Sequence, residues 1–395
     1  MLLPLSDAPN PRGIPVVTYV LIAVNVVVYG LFTVPLGLQP ADINDPSLRS
    51  YLEAIRGSLP QGVSLRDVFA QLTAYDLFVF AHGYKPAAPA VSDLLTSLFL
   101  HGGFMHLFGN MLFLWIYGDN VEHRLGKLPF LFWYLLTGVA ATLAFAVFAG
   151  DSMVPLVGAS GAISGVLGFY FLWFPRNTVR VFIFLFPLFM NVVAIPARIV
   201  LGVYLIVDNM LPFLLSGGSG GGGVAHGAHI GGFVAGLAAA WALTRREVTA
   251  RPAEFGRASA APVPASGDGI TAAMDRGEMA DSARAYFSLG PDRTRRLLPP
   301  EDSLRLAEWL AADGHAEAAL VLFRRHLRDY PSDTTAARAH LGAGLVQLDD
   351  LRQVAPAYQH FLDAIDLAPD AATEATARQA LTRIAALQKY RLGRG

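Results

Sequence analysis

The chain has 395 residues, 53% hydrophobic and 15% charged, with a formal net charge of −1. Soluble domains carry about 25% charged residues, and the shortfall is uneven: residues 1–244 hold 21 charged positions, residues 245–395 hold 40. That split excludes a single water-soluble globule, a disordered chain and a fibrous repeat. The balanced charge gives no argument for nucleic acid as a partner, and the absence of cysteine excludes disulfides, iron–sulfur clusters, Cys-ligated zinc and a thiol nucleophile.

Apolar runs of about 20 residues, enough to cross a ~30 Å hydrocarbon core, recur along the first part. The polar, Pro-rich start and a long first run without a small-residue cleavage site predict a retained span rather than a signal peptide. The predicted spans are Val16–Leu36, Leu94–Gly118 with its helix starting near Phe104, Leu128–Phe148 and Ser160–Phe174. The stretch Val181–Leu215 is interrupted by Pro187, Pro196, Arg198 and Asp208. Proline favours the first helical turn, so a fifth span is set from Pro196 to near Leu215. Val179–Val193 is then an apolar segment at the interface or folded back. The last span lies within Val224–Thr244.

Positive residues orient these six spans. Arg12, Arg124, Lys127, Arg176, Arg180, Arg198, Arg245, Arg246 and Arg251 fall on one side, which places both termini in the cytoplasm. With no organelle-targeting segment ahead of span 1, the expected location is a bacterial plasma membrane. The expected division is a six-helix membrane domain over 1–248, a flexible Ala/Pro/Ser/Gly linker over 249–268 and a soluble helical domain over 269–395. In the last, Leu306, Leu310, Gly314, Ala318, Phe323, Tyr330 and Pro331 are followed by Leu341, Gly342, Leu348, Ala355, Tyr358, Phe361, Ala364 and Pro369. Both sets resemble the paired helices of tetratricopeptide repeats; a degenerate earlier pair is expected over 270–296, and an unrelated helical bundle is the alternative.

Small residues in spans usually mean close packing, as in Gly161 and Gly165 or Gly232 and Gly236. Histidines at membrane depth instead point to function. Spans 2, 4 and 6 all begin outside, so His106, Asn110, Ser160 and His229 converge on one face. A serine hydroxyl needs a base to become a nucleophile, and neutral histidine suits that task. The resulting oxyanion needs fixed donors, which the Ser160 N–H, the Asn110 amide and the His106 ring can supply. Gly161, Gly165, Gly232 and Gly236 would let spans 4 and 6 approach closely enough for Ser160 to meet His229.

Three motifs carry a family resemblance: His101-Gly-Gly-Phe-Met-His106-Leu-Phe-Gly-Asn110, Gly158-Ala159-Ser160-Gly161 and Ala228-His229-Ile230-Gly231-Gly232. With Gly118 and Glu122-His123-Arg124, the stretch from about residue 10 to 245 resembles the rhomboid intramembrane serine proteases. The resemblance implies an all-α, six-span bundle and a serine endopeptidase with a Ser160–His229 dyad, without an acidic third member. It implies His106 and Asn110 at the oxyanion hole, single-pass membrane proteins as substrates, and no cofactor. The alternatives are an inactive rhomboid-like binder of membrane helices and a transporter. The chain departs from the family at Ser164, where many members carry a Tyr packed on the base, and in residues 33–93, which lack the Trp of a common Trp-Arg pair. His226 beside His229 invites a zinc reading, but no carboxylate lies between Asp208 and Glu247, so no metal is expected. His101 is expected to hydrogen-bond at the start of span 2, and Asp208 to cap the outer end of span 5. The run Ser216–Gly223, made only of Gly and Ser, is expected to act as a mobile flap. The C-terminal domain is left for a protein partner.

Overall fold

The computed structural model describes residues 2–56, 59, 62–185, 189–215, 225–255, 263–367 and 370–392; the Ser216–Gly223 flap lies outside them. The chain divides into two compact units, one of Met1–Asp7 with Gly13–Ala240, the other of Ala8–Arg12 with Trp241–Gly395.

The first unit opens with strand β1 (Leu2–Ala8) and the apolar helix α1 (Val16–Gly37). Three short helices follow: α2 (Leu48–Ile55), α3 (Leu65–Gln71) and α4 (Ala74–His82). Ser64 with Asp67 and Thr73 with Asp76 form capping boxes that start α3 and α4. Next come α5 (Asp93–Phe99) and α6 (Phe104–Leu125), bent by 94° against each other. Helix α6 ends at Gly126, whose φ of +86° suits glycine, and α7 (Lys127–Ala149) starts there. Then come α8 (Ser160–Trp173), strands β2 (Thr178–Leu185) and β3 (Phe189–Pro196), α9 (Ala197–Leu215) and α10 (His226–Thr249).

Among the described residues, four helices, α1, α7, α9 and α10, are long and apolar enough to cross a membrane. The bent pair α5–α6 passes as one more, and α8 is an apolar helix of 14 residues. Leu31, Leu128, Val147 and Leu214 leave large apolar side chains uncovered, as lipid-facing surfaces do. Every residue from Gly161 to Tyr170 in α8 is buried, so α8 is the central helix. A Cβ on Gly232 or Gly236 of α10 would collide with the carbonyl oxygen of Gly161 or Gly165 of α8, and one on Gly161 would meet the Ala141 side chain of α7. Helices α8 and α10 thus touch backbone to backbone.

At the other end of α6, Glu122 is 2% exposed and accepts from the backbone N–H groups of Val17 (2.9 Å) and Thr18 (2.7 Å) and from the Thr18 hydroxyl (2.8 Å). Pro15 offers α1 no side-chain cap, so Glu122 fills the place of an N-cap residue and meets the positive end of the helix dipole.

The all-α expectation describes most of the chain, but strands β1, β2 and β3 form one sheet in that order. Strands β2 and β3 are antiparallel, pairing Thr178 with Pro196 and Leu185 with Phe189. The described residues of Val179–Val193, on either side of 186–188, thus fold back on one another as paired strands rather than lying as an unpaired apolar segment. The cause is the β-branched content of Val179, Val181, Ile183, Val192, Val193 and Ile195. Helix α6 also runs past Gly118 to Leu125, because the charged Glu122-His123-Arg124 turn is used inside the fold; the Arg124 guanidinium stacks on Trp173 at 4.1 Å.

The second unit is helical: α11 (Gly267–Asp275), α12 (Met279–Ser288), α13 (Pro300–Ala312), α14 (Ala316–Asp329), α15 (Ala336–Leu345), α16 (Val354–Asp366) and α17 (Ala371–Leu392). Three successive helix pairs turn through a left-handed residue, Gly277, Gly314 and Arg352. Buried Leu306, Leu310, Leu322 and Phe323 share one core, and Val354, Phe361 and Ile384 another. Arg325, 2% exposed, donates to the carbonyls of Val248 and Ala250 at 3.0 Å each.

Candidate active site

Gly158, at φ +123°, turns the chain into α8, and its N–H donates to the Ser97 carbonyl at 2.8 Å. Ser160 is the first residue of α8, so its backbone N–H is one that no intrahelical carbonyl satisfies. Its Oγ lies 2.7 Å from Nε2 of His229, in the first turn of α10. The glycine contacts between α8 and α10 set that distance.

His106 and Asn110 are one turn apart on α6 and face Gly158. A Cβ at Gly158 would stand 2.7 Å from His106 Nε2 and 3.7 Å from Asn110 Nδ2. The Asn110 Nδ2 is buried without a hydrogen-bond partner. An unused amide donor beside the start of α8 is costly unless something arrives to accept from it. Ser160, His229, His106 and Asn110 are therefore brought together.

His101, expected to hydrogen-bond at the start of α6, does so through its backbone carbonyl, which accepts from the Tyr75 hydroxyl at 2.7 Å. The His101 ring is 1% exposed and packs edge-on against His106 at 5.1 Å. Asp208 does not cap the outer end of α9. It is exposed within a π-turn, Ile206–Met210, and the helix continues to Leu215.

Two residues of α9 that sequence reasoning passed over complete the surroundings of His229. Asn209, 2% exposed, places Oδ1 2.7 Å from His229 Nδ1 and 3.4 Å from His226 Nδ1. The Tyr204 ring stacks on His229 at 6.4 Å and 30°. The Tyr204 hydroxyl meets the Ser164 hydroxyl at 2.7 Å. An aromatic ring thus covers the imidazole from α9, and Ser164, the position of the departure noted above, anchors its hydroxyl. The available signal was a buried-type amide and an aromatic in an apolar span.

Among the described residues, one group has donor atoms spaced for a metal ion, His340, His360 and Asp363 of the second unit, all within 4.8 Å of one another.

Residues 88–246 match the family model of the rhomboid domain. The chain is 47% identical over 75 residues to rhomboid protease GluP of Bacillus subtilis, covering 19% of this chain and 14% of that protein. It is 29% identical over 196 residues to rhomboid-like protein 11, chloroplastic, of Arabidopsis thaliana, covering 47% and 62%. It is 35% identical over 99 residues to rhomboid protein 1, mitochondrial, of Saccharomyces cerevisiae, covering 24% and 29%. In each case less than two thirds of the relative's length is spanned. The matched domain contains His106, Asn110, Ser160 and His229, and these likenesses support the rhomboid family for this integral membrane protein.

Proposed function

We propose that the protein is an intramembrane serine endopeptidase that hydrolyses a peptide bond in or near the transmembrane segment of single-pass membrane proteins. The observation that carries this reading is the 2.7 Å approach of Ser160 Oγ to His229 Nε2. As Ser160 Oγ attacks the scissile carbonyl carbon, its proton passes to His229 Nε2. The carbonyl oxygen becomes an oxyanion beside the Ser160 N–H, the unpaired Asn110 Nδ2 and the His106 ring. His229 returns the proton to the leaving amine, and water then releases the acyl group by the reverse use of the same base. No cofactor or metal is called on.

The reading extends to six spans with both termini cytoplasmic in a bacterial plasma membrane, supported by the distribution of Arg and Lys. It assigns 1–248 to the protease domain, 249–268 to a connector and 269–395 to a tetratricopeptide-like domain that binds a protein partner. The left-handed turns at Gly277, Gly314 and Arg352, at near-equal spacing, support the repeat reading. An inactive rhomboid-like binder would retain neither need for an orphan amide nor a serine held on a histidine.

The test is cleavage of a model single-span substrate by the full-length protein in liposomes. Ser160→Ala and His229→Ala each abolish cleavage, and the double variant is no worse than either, because the two act as one unit. Asn110→Ala lowers turnover about 10²–10³-fold with little change in substrate affinity. Turnover by Ser160→Ala overturns the assignment.

A further inference from the structure

We propose that Asn209 is a positioning residue that fixes the tautomer and ring orientation of His229, so that the site works as a Ser160–His229–Asn209 triad. This rests on the Ser160–His229 reading and adds a third member to it.

The hydrogen-bond directions follow from what each atom can do. The Tyr204 backbone carbonyl can only accept, and it lies 2.8 Å from one terminal atom of the Asn209 amide. That atom must be the NH₂. The other terminus is then the carbonyl oxygen Oδ1, which can only accept, and it lies 2.7 Å from His229 Nδ1. Nδ1 must therefore carry the proton. In a neutral imidazole the second nitrogen then bears the lone pair, and that nitrogen, Nε2, faces Ser160 Oγ. One backbone carbonyl of α9 thereby specifies, through two hydrogen bonds, which nitrogen is the base.

The local fold serves this arrangement. Asn209 lies in the π-turn Ile206–Met210, closed by the Leu211 N–H on the Ile206 carbonyl. Such turns often mark functional positions. Val207, Asp208 and Met210 around it are exposed, whereas Asn209 is buried. A buried amide in an apolar span is costly unless both ends are satisfied, and here both are. The Tyr204 ring covers the imidazole face while the Asn209 oxygen holds its edge, so rotation about the ring's attachment is opposed in two directions. During attack Asn209 neither gains nor loses a proton. It keeps the Nδ1–H bond while Nε2 takes the Ser160 proton, and the imidazolium that forms is stabilised by the amide dipole.

The experiment pairs spectroscopy with kinetics on the full-length protein. In ¹⁵N-histidine-labelled protein, the His229 resonances, identified by their loss in His229→Ala, should report a single Nδ1–H tautomer. In Asn209→Ala both tautomers should be populated, and turnover should fall about 10²-fold with KM little changed. Asn209→Asp keeps an acceptor at Nδ1 and should retain the Nδ1–H tautomer, whereas Asn209→Leu fills the space without an acceptor and should lose it together with about 10²-fold in turnover; a purely space-filling role would leave Asn209→Leu unchanged. An Nε2–H tautomer in the wild type overturns the proposal even if Asn209→Ala fails to fold. So does an Asn209→Ala protein with unchanged tautomer and turnover. If instead Ser160→Ala cleaves substrate, the protease reading fails while the tautomer measurement still stands by itself.

Discussion

Glycine does opposite jobs in the two units. In the first, Gly232 and Gly236 of α10 admit the backbone carbonyls of Gly161 and Gly165, and Gly168 of α8 faces the Phe233 carbonyl. In the second, Gly342 and Gly344 of α15 leave room for the rings of Phe323 and Phe361, both fully buried. The difference follows from the surroundings. Lipid tails are as apolar as leucine, so helices in a bilayer gain little by burying large side chains against one another and instead approach until their backbones touch. In water, each buried Å² of ring contributes roughly 25 cal/mol, and a glycine is best used as a socket for a phenylalanine. One sequence device thus maximises dispersion contact in one setting and apolar burial in the other.

The largest effect should come from breaking the first kind of contact. In Gly236→Leu the obstacle is the Gly165 carbonyl, which no side-chain rotation removes. Helices α8 and α10 must separate, and a displacement of about 1 Å at Ser160 and His229 should lower turnover about 10²-fold or more. Cleavage of the liposome-borne substrate measures this; a Gly236→Leu protein with wild-type turnover would remove the link between the glycine contacts and the dyad.

Gly342→Ala should be milder and repairable. Its obstacle is the Phe323 ring, so overpacking should cost about 1–3 kcal/mol, read as faster hydrogen exchange in Ala336–Leu345 of the full chain. Adding Phe323→Leu makes space and should restore most of the protection. If the second substitution gives no rescue, the ring is not the partner that matters.

The smallest effect should appear where polar contacts hold the first unit. Asp7 of β1 accepts from Asn120 Nδ2 at 2.9 Å and from the Tyr170 hydroxyl. Burial pushes its carboxyl up to about 7, against the hydrogen bonds that pull it down. A carboxyl raised in the folded state binds its proton more tightly there than in the undocked strand, so docking weakens as pH rises from about 4 to about 7. Hydrogen-exchange protection of residues 2–7, compared at pH 5 and pH 8, should fall severalfold more in wild type than in Asp7→Asn. Equal changes in both proteins would detach Asp7 from strand docking.

How far the site could be read from sequence depended on what kind of interaction placed each residue. Helix ends were legible because apolar runs stop abruptly: Phe104, Ser160 and Val16 begin helices where the patterns begin. Charge asymmetry and parity then sufficed to bring Ser160, His229, His106 and Asn110 to one face. The pairing of β2 with β3 was not legible, because Val179–Val193 is apolar on both sides of its strands and shows no alternation to separate a strand from a membrane-surface segment. Asn209 was hidden by its neighbour. Asp208 carries the charge and drew the expectation of a cap, yet the π-turn directs it outward and Asn209 inward. A single extra residue in a helical turn leaves no pattern in a sequence read alone. Glu122 was visible as part of a motif, but its use as a cap for a helix about a hundred positions away is a tertiary fact.

The shortness of α8 gives the protein a ruler. Its 14 residues rise about 21 Å at ~1.5 Å per residue, against a hydrocarbon core of ~30 Å. With its inner end level with the headgroups, Ser160 stops about 9 Å below the opposite surface. On the proposed protease reading, a target helix would then have to offer a bond about six residues inside its own outer boundary. On that reading, depth is the first criterion of selection and local sequence the second. Lengthening a target's apolar stretch at its outer end should walk the cut along the chain, residue for residue. A thicker bilayer should do the same to an unaltered target.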